Sequence, residues 1–236
     1  MGLYENNEKE YYSCLAASYL RGRAFRMGCT EMLPLPLLDK EPQQLTEEEK
    51  TLLPEWFQQE NLKIYPFKKN HELLPRVKKV LGFLHAVQPE NLLDVGSGRG
   101  AFIFPFLEKF PWVEVTSIDL LDHRVEVLQN IHCVGVERLR AVQADLCDQP
   151  FPGNSFDIVT LLEVLEHIPE VEKAVQAAVH MARRYIVVTV PSKSDNNPEH
   201  IHLLTKQRLT ALFKNAGCTK LQFDGVLGHL LLIAAL

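Results

Sequence analysis

Leu92-Leu93-Asp94-Val95-Gly96-Ser97-Gly98-Arg99-Gly100 decides how this chain folds. Its apolar start reads as a buried strand, and three glycines at alternate positions punctuate the exit. Ala101-Phe102-Ile103-Phe104 then opens a helical pattern. Strand, glycine turn and helix in that order build a crevice at the C-terminal edge of a sheet, where nucleotide-like ligands dock. Glycine is needed there because a side chain would hold the backbone away from a ligand, and because tight turns often demand positive φ. The dinucleotide fingerprint G-x-G-x-x-G seats a pyrophosphate on a helix N-terminus. Here the third glycine comes one residue early, and Asp94 precedes the loop by two positions. A carboxylate beside the loop works against an anion and in favour of a ligand that carries positive charge.

Two more acids follow at matching points. Val113-Glu114-Val115-Thr116-Ser117-Ile118-Asp119 is a β-rich run closing on a carboxylate 25 residues after Asp94. Arg140-Ala141-Val142-Gln143-Ala144-Asp145 is a third strand ending in Asp, followed by Leu146. A solvated loop is the commoner home of an aspartate, but three after three successive strands single out one crevice. On these residues the chain resembles the class I S-adenosylmethionine-dependent methyltransferases. Their first motif is a hydrophobic strand ending in Asp or Glu, followed by G-x-G-x-G. A fourth segment, Phe156 to Pro169 with Glu163-Val164-Leu165-Glu166-His167 at its centre, is similar to the "E-V-L-E-H", type-11-like group of that superfamily. The resemblance covers roughly residues 70 to 236 and is specific for cofactor and reaction, not for substrate.

The resemblance implies S-adenosyl-L-methionine as cofactor, held by Asp94, Gly96, Ser97, Gly98 and Gly100 around its amino-acid end. It implies that Asp119, with Leu120 after it, takes the ribose. Asp145 would accept from the adenine amino group with Leu146 beside the ring, and Leu162-Glu163 would lie near the sulfonium. Catalysis is expected from Glu163, His167 and His200, around a small-molecule acceptor.

The rest of the chain agrees. Residues 1–70 read as a helical N-terminal extension or lid, and residues 71–236 as the methyltransferase domain. In the extension, Tyr11 to Met27 has helical character, Leu33-Pro34-Leu35-Pro36 breaks it, and Thr46-Glu47-Glu48-Glu49 looks like a capped helix start. Leu73, Leu74, Val77, Val80, Leu81 and Leu84 fit a helix packed on a core. Strands then alternate with helices, which predicts an α/β fold with a Rossmann-like, doubly wound and mostly parallel seven-stranded sheet. Thr205 to Ala216 reads as a helix ended by Gly217. Lys220 to Phe223 and Val226 to Ala235 read as an antiparallel C-terminal hairpin turning at Asp224-Gly225. Such a hairpin separates methyltransferases from dinucleotide dehydrogenases.

Composition sets the surroundings. The 236 residues suit one α/β domain plus an embellishment, and 46% hydrophobic residues supply a sizeable core. The net charge of −5 advertises no polyanionic partner, so RNA ranks below a small molecule as acceptor. Cys14, Cys29, Cys133, Cys147 and Cys218 form no C-x-x-C pair, which favours reduced thiols. No apolar run is long enough to span a bilayer. Glu5, Glu8 and Glu10 near the start do not match a signal peptide, so a cytoplasmic protein without a membrane partner is expected. Oligomeric state has no signal.

The acceptor side leaves alternatives open. On a helical turn, Glu163, Glu166 and His167 would share one face, and such spacing can bind a divalent ion. With His200 they resemble the ligand set of metal-dependent RNA ribose 2′-O-methyltransferases, with Thr205 matching that family's Thr. Leu204 stands where that family has Trp, and the stretch from Pro191 to His200 is shorter than theirs. The site is therefore read as metal-free, with Glu163, Glu166, His167 and His200 as the metal alternative. A non-catalytic adenosylmethionine-binding module is the third reading. Arg21, Arg23, Arg26, Lys68 and Lys69 offer a basic pocket, more simply read as solvated faces. Tyr11, Tyr12 and Tyr19 offer a lid over the cofactor or ordinary packing. Cys147 has no mark of a nucleophile, and His180 and His229 read as structural.

Overall fold

The computed structural model describes residues 3–67, 73–194 and 196–236, with side chains from Glu10 onward. Its helices are α1 (Leu3–Met27), α2 (Leu35–Asp39), α3 (Glu47–Thr51), α4 (Leu53–Gln59), α5 (Pro75–Val87), α6 (Ile103–Lys109), α7 (Asp122–Val134), α8 (Val171–Met181) and α9 (Lys206–Asn215). Its strands are β1 (Asn91–Val95), β2 (Glu114–Asp119), β3 (Leu139–Gln143), β4 (Phe156–Leu162), β5 (Ala182–Pro191), β6 (Lys220–Val226) and β7 (His229–Ala235). They form one seven-stranded sheet in the order β3-β2-β1-β4-β5-β7-β6. β1 is parallel to β2 and β4, and β4 to β5, whereas β7 runs antiparallel to β5 and β6. The doubly wound sheet with a reversed terminal pair is thus the one the sequence predicts. Among the described residues no helix is long and apolar enough to cross a membrane.

The chain builds outward from β1 to β3, then returns to place β4 on the other side of β1. The strand order reverses there, and such a switch point opens a crevice at the C-terminal ends of the strands. A parallel sheet covered on both faces needs continuous apolar strands rather than alternating ones. β4 from Phe156 to Leu161 and β5 from Ile186 to Val190 are accordingly buried without interruption. Ala174, Ala177 and Ala178 on α8 and Leu209 and Phe213 on α9 belong to the same core as Val159, Leu161, Ile186 and Val188. Small residues on α8 let the helix lie close to the sheet.

The chain partitions into two compact units, Met1–Glu72 with His123–Ala141, and Leu73–Asp122 with Val142–Leu236. In the first, α1 buries Tyr12, Leu15, Ala16, Tyr19 and Leu20. Tyr19 stacks on Phe57 at 5.7 Å and tilts against Phe67 at 5.3 Å. A Cβ on Gly22 would lie 1.9 Å from the Asn130 carbonyl oxygen, so α1 and α7 meet backbone to backbone. Arg26 completes that contact by donating to Asn130 Oδ1 at 2.9 Å. Thr46 and Glu49 cap α3 reciprocally, as the sequence signals.

The hairpin turn is a correction. β6 runs through Asp224 and Gly225, which stay in the ladder opposite Leu231 and Leu230. The chain reverses instead at Leu227 and Gly228, with φ of 32° and 85°. Two positive φ values in succession suit a two-residue hairpin loop, whose twist matches the strands.

The N-terminal edge of β4 is pinned by a buried acid. Arg183 donates to Asp157 Oδ1 through Nε at 3.0 Å and Nη2 at 2.6 Å, and the Glu90 amide donates to Oδ2 at 2.8 Å. Burial alone would raise this carboxyl, but the Glu90 amide and Arg183 outweigh it and hold it below the usual carboxylate range. Asp157→Ala leaves both donors unpaired and is expected to lower unfolding stability by about 2–4 kcal/mol. Urea unfolding followed by circular dichroism measures this, and a loss under about 0.5 kcal/mol would reduce the pair to a surface contact.

Candidate active site at the switch point of the sheet

Beyond β1 the chain turns at Gly96, Gly98 and Gly100 with φ of 68°, 57° and 83°. The three glycines do different jobs. A Cβ on Gly100 would sit 2.3 Å from the Phe104 ring, so this glycine lets the loop close on α6. A Cβ on Gly96 would come within 2.9 Å of Val164, so the loop touches the segment that follows β4. Over Gly98 the nearest atom to such a Cβ is the Gly96 carbonyl oxygen at 3.8 Å. The backbone is open there, as a cradle for a ligand must be.

Asp94 holds this loop. Its carboxylate is buried, accepts from Ser97 Oγ through one oxygen and from Thr160 Oγ1 at 2.7 Å through the other. Ser97 and Ser117 hydroxyls lie 2.6 Å apart. Because the Ser97 hydrogen goes to Asp94, Ser117 is the donor in that contact. Burial pushes the Asp94 carboxyl up to about 6, with the charge of Asp119 adding to it and the two hydroxyl donors opposing it. The sequence assigns Asp94 to the ligand, and the structure gives it the task of bracing the loop.

Asp119 closes β2, and its Oδ1 accepts from the Leu121 amide at 3.0 Å. Asp145 Oδ1 accepts from the Cys147 amide at 2.8 Å and caps a 3₁₀ turn from Leu146 to Asp148. Strand order therefore sets Asp145, Asp119 and the glycine loop along one edge of the sheet. Leu120 is 61% exposed on that edge, whereas Leu146 is packed in the core and Leu162 is half-buried. Open glycine backbone, carboxylates for hydroxyl or amino donors and an exposed apolar side chain fit an adenosine-like ligand.

The segment after β4 departs from expectation. Glu163 takes a left-handed φ of 59°, and the 3₁₀ turn begins only afterwards, from Leu165 to His167. Glu163 therefore does not share a helical face with Glu166 and His167. Its Oε2 lies 3.0 Å from His229 Nε2 and its Oε1 3.9 Å from Arg76 Nε. Glu166, His167 and His200 do converge, with one ligand atom from each inside 4.8 Å of the others. The loop after β5 is sewn to this turn. His167 Nδ1 lies 2.9 Å from the Glu199 carbonyl, the Ile201 and His202 amides donate to the Glu166 carbonyl, and His202 Nε2 lies 3.0 Å from the Ile168 carbonyl. Thr205 caps α9 through the Arg208 amide.

Other candidates are placed elsewhere. Arg21 pairs with Glu41 and the Lys40 carbonyl, Arg23 with Glu60 and Arg26 with Asn130, so the three do not converge. Lys68 and Lys69 lie outside the described residues. Burial lifts the Cys147 thiol to about 11, which rules out a ready nucleophile, and all five cysteines are free. His180 packs against Gly153. His229 and Arg76 are the residues that sequence reasoning missed. They stand 66 positions after and 87 before Glu163, and neither belongs to a motif.

Residues 93–185 match a family model described as a methyltransferase domain. The chain is 25% identical over 130 residues to ajmaline N-methyltransferase of Rauvolfia serpentina, covering 50% of this chain and 44% of the relative. It is 31% identical over 121 residues to a ubiquinone biosynthesis O-methyltransferase of Paracidovorax citrulli, covering 50% and 49%. The chain thus spans about half the length of these curated relatives. A SAM-dependent methyltransferase structure from Aquifex aeolicus superposes with a TM-score of 0.56 at 19% identity, over 71% of this chain and 93% of that one. Fold and domain together define the class: residues 93–185 carry a methyltransferase domain, on a fold shared with S-adenosylmethionine-dependent methyltransferase structures.

Two outcomes check the site's construction. Gly100→Ala must drive a methyl group into the buried Phe104 ring at a left-handed position, and should cost about 2–4 kcal/mol of stability. Unchanged urea unfolding would contradict the assigned packing. Asp94 is a carboxyl raised in the folded state, so its contribution to stability is complete below about pH 4 and lost as pH rises through 6. The loss amounts to about 3 kcal/mol. Asp94→Asn should flatten this part of the stability–pH curve, measured by thermal unfolding from pH 4 to 7, and an unchanged slope would place the titration elsewhere.

Proposed function

We propose that the chain is an S-adenosylmethionine-dependent methyltransferase that transfers a methyl group by in-line displacement to a small-molecule acceptor. The carrying observation is the edge of the sheet, where a left-handed glycine loop with an open backbone at Gly98 lies in line with Asp119 and Asp145. Asp119 takes ribose hydroxyls. Asp145 accepts from the adenine amino group, with the exposed Leu120 as apolar surroundings and Leu146 backing the site from the core. Asp94 acts on the amino-acid end through Ser97, the hydroxyl it holds, and Leu162 lies near the reacting centre. S-adenosylmethionine supplies an electrophilic methyl group on a sulfonium. The protein's share is alignment, exclusion of water and removal of a proton from the acceptor.

Glu163, His167 and His200 are the acceptor-side groups in this assignment. The names of the relatives, an N- and an O-methyltransferase of small molecules, support a small acceptor, as does a net charge of −5. Free cysteines fit a cytoplasmic protein, and residues 1–70 serve as an N-terminal extension or lid to a domain of residues 71–236. Methyl transfer from labelled S-adenosylmethionine to fractionated small-molecule and RNA extracts tests the proposal. Label should enter the small-molecule fraction, and label in neither fraction would leave a ligand-binding module as the better account.

A metal-assisted RNA ribose methyltransferase is the second reading, favoured by the convergence of Glu166, His167 and His200. Glu163, bound to His229, is not part of that group. Titration with Mn²⁺ separates the two. The metal-free reading predicts no site that His200→Ala removes and no loss of turnover with chelators, and a stoichiometric site abolished by that substitution would reverse the choice.

A further inference from the structure

Three separate elements meet at Glu163. Its backbone occupies a region that side chains other than glycine's avoid, and its amide donates to the Thr189 carbonyl at 2.9 Å. His229, at the start of β7, places Nε2 3.0 Å from Glu163 Oε2 and Nδ1 3.2 Å from the Leu227 carbonyl. A carbonyl and a carboxylate can only accept, so the ring donates from both nitrogens, Nδ1 to Leu227 and Nε2 to Glu163, and is fixed from both ends. Arg76, from α5, approaches the other carboxylate oxygen only to 3.9 Å. That oxygen, Oε1, is buried and has no hydrogen-bond donor among the described residues. A buried acceptor left open is unusual and calls for an explanation.

The surroundings supply one. Val95 registers with Leu161, so the glycine loop and the segment carrying Glu163 leave the sheet side by side. Gly96 then abuts Val164, the next residue after Glu163. Register of Pro191 with His229 brings β7 to the same end of the sheet. One oxygen of the carboxylate is clamped by the last strand, and the other keeps an unused hydrogen-bond acceptor on the residue next to Val164, which abuts the glycine loop.

We infer that His229 is a positioning residue, holding Glu163 so that Oε1 accepts the hydrogen of an O–H or N–H group on the methyl acceptor. The inference rests on the methyltransferase function proposed above. It names the acceptor class as an alcohol, phenol or uncharged amine, because such a group has both a lone pair for the methyl carbon and a hydrogen for Oε1 to accept. As the acceptor's oxygen or nitrogen bonds to the methyl carbon, the carbon–sulfur bond breaks and its electron pair stays on sulfur. The acceptor's proton passes to Glu163 Oε1 and from there to solvent.

The test compares the wild type with His229→Ala, His229→Gln and Glu163→Gln. Turnover is measured with methyl-labelled S-adenosylmethionine and a panel of small phenols, alcohols and amines. His229→Ala should lower kcat roughly 10- to 100-fold, part of what a positioned base supplies, while KM for S-adenosylmethionine stays within about threefold. His229→Gln, which keeps an N–H donor for Glu163, should recover most of the loss. Wild-type kcat in His229→Ala, or no rescue by Gln, overturns the inference. A second readout needs no turnover: in ¹⁵N-histidine-labelled protein, Glu163→Gln should shift the His229 Nε2 resonance, identified by its disappearance in His229→Gln. An unshifted resonance overturns the pairing. If the wild type methylates nothing, the proposed function fails by itself, and the Nε2 resonance still decides whether His229 holds Glu163.

Discussion

A chain of hydroxyls ending on one buried carboxylate organises the functional half of this protein. Ser117 on β2 donates to Ser97 in the glycine loop, Ser97 donates to Asp94 on β1, and Thr160 on β4 donates to the same carboxylate. Three adjacent strands and the loop are tied to a single acid at the place where the strand order reverses. A buried carboxylate is costly unless such donors surround it, and every one of these donors is a hydroxyl rather than a cation. The charge is therefore stabilised but not neutralised, which explains why the Asp94 carboxyl is raised to about 6. It also explains why a cationic ligand is the natural complement of this loop.

What the network holds in place is backbone in unfavourable conformations. Gly96, Gly98 and Gly100 adopt positive φ at little cost, but Glu163 across the crevice does so at a cost of about 1–3 kcal/mol. Such strain survives where surrounding contacts over-determine it. Here the Thr189 carbonyl holds the Glu163 amide, and His229 holds its carboxylate. The histidine-rich loop after β5 is fastened to the following turn by hydrogen bonds through His167, Glu166 and His202. The walls of the crevice are thus built by local bonds between loops that lie far apart in sequence.

Much of this is legible in the sequence. Asp94, the three glycines, Asp119 and Asp145 occupy positions set by strand ends, and strand ends are marked by local apolar runs. The reversed terminal pair was legible because a short turn between two strands forces antiparallel pairing. Its turn is not legible, because Asp224-Gly225 is a stronger turn signal than Leu227-Gly228, and only pairing against β7 decides between them. The shared face of Glu163 and Glu166 was misjudged for a related reason: helical spacing presumes a helix, and a left-handed residue at Glu163 breaks it. His229 and Arg76 are illegible, since nothing near them in sequence reports that β7 and α5 begin beside Glu163.

The central claim is that the Asp94-braced glycine loop is an adenosyl-ligand site with its approach at Gly98. Calorimetric titration with S-adenosylhomocysteine, in the wild type and in Gly98→Ala, tests it most directly. A Cβ at Gly98 meets no protein atom closer than 3.8 Å, so the variant bears only the cost of a left-handed residue, about 1–3 kcal/mol, and should fold but lose binding because its methyl group occupies the ligand's place. The account predicts saturable binding of one ligand per wild-type chain and binding at least about tenfold weaker in Gly98→Ala. No heat from the wild type at about 1 mM ligand, or equal affinity in the two proteins, would contradict it.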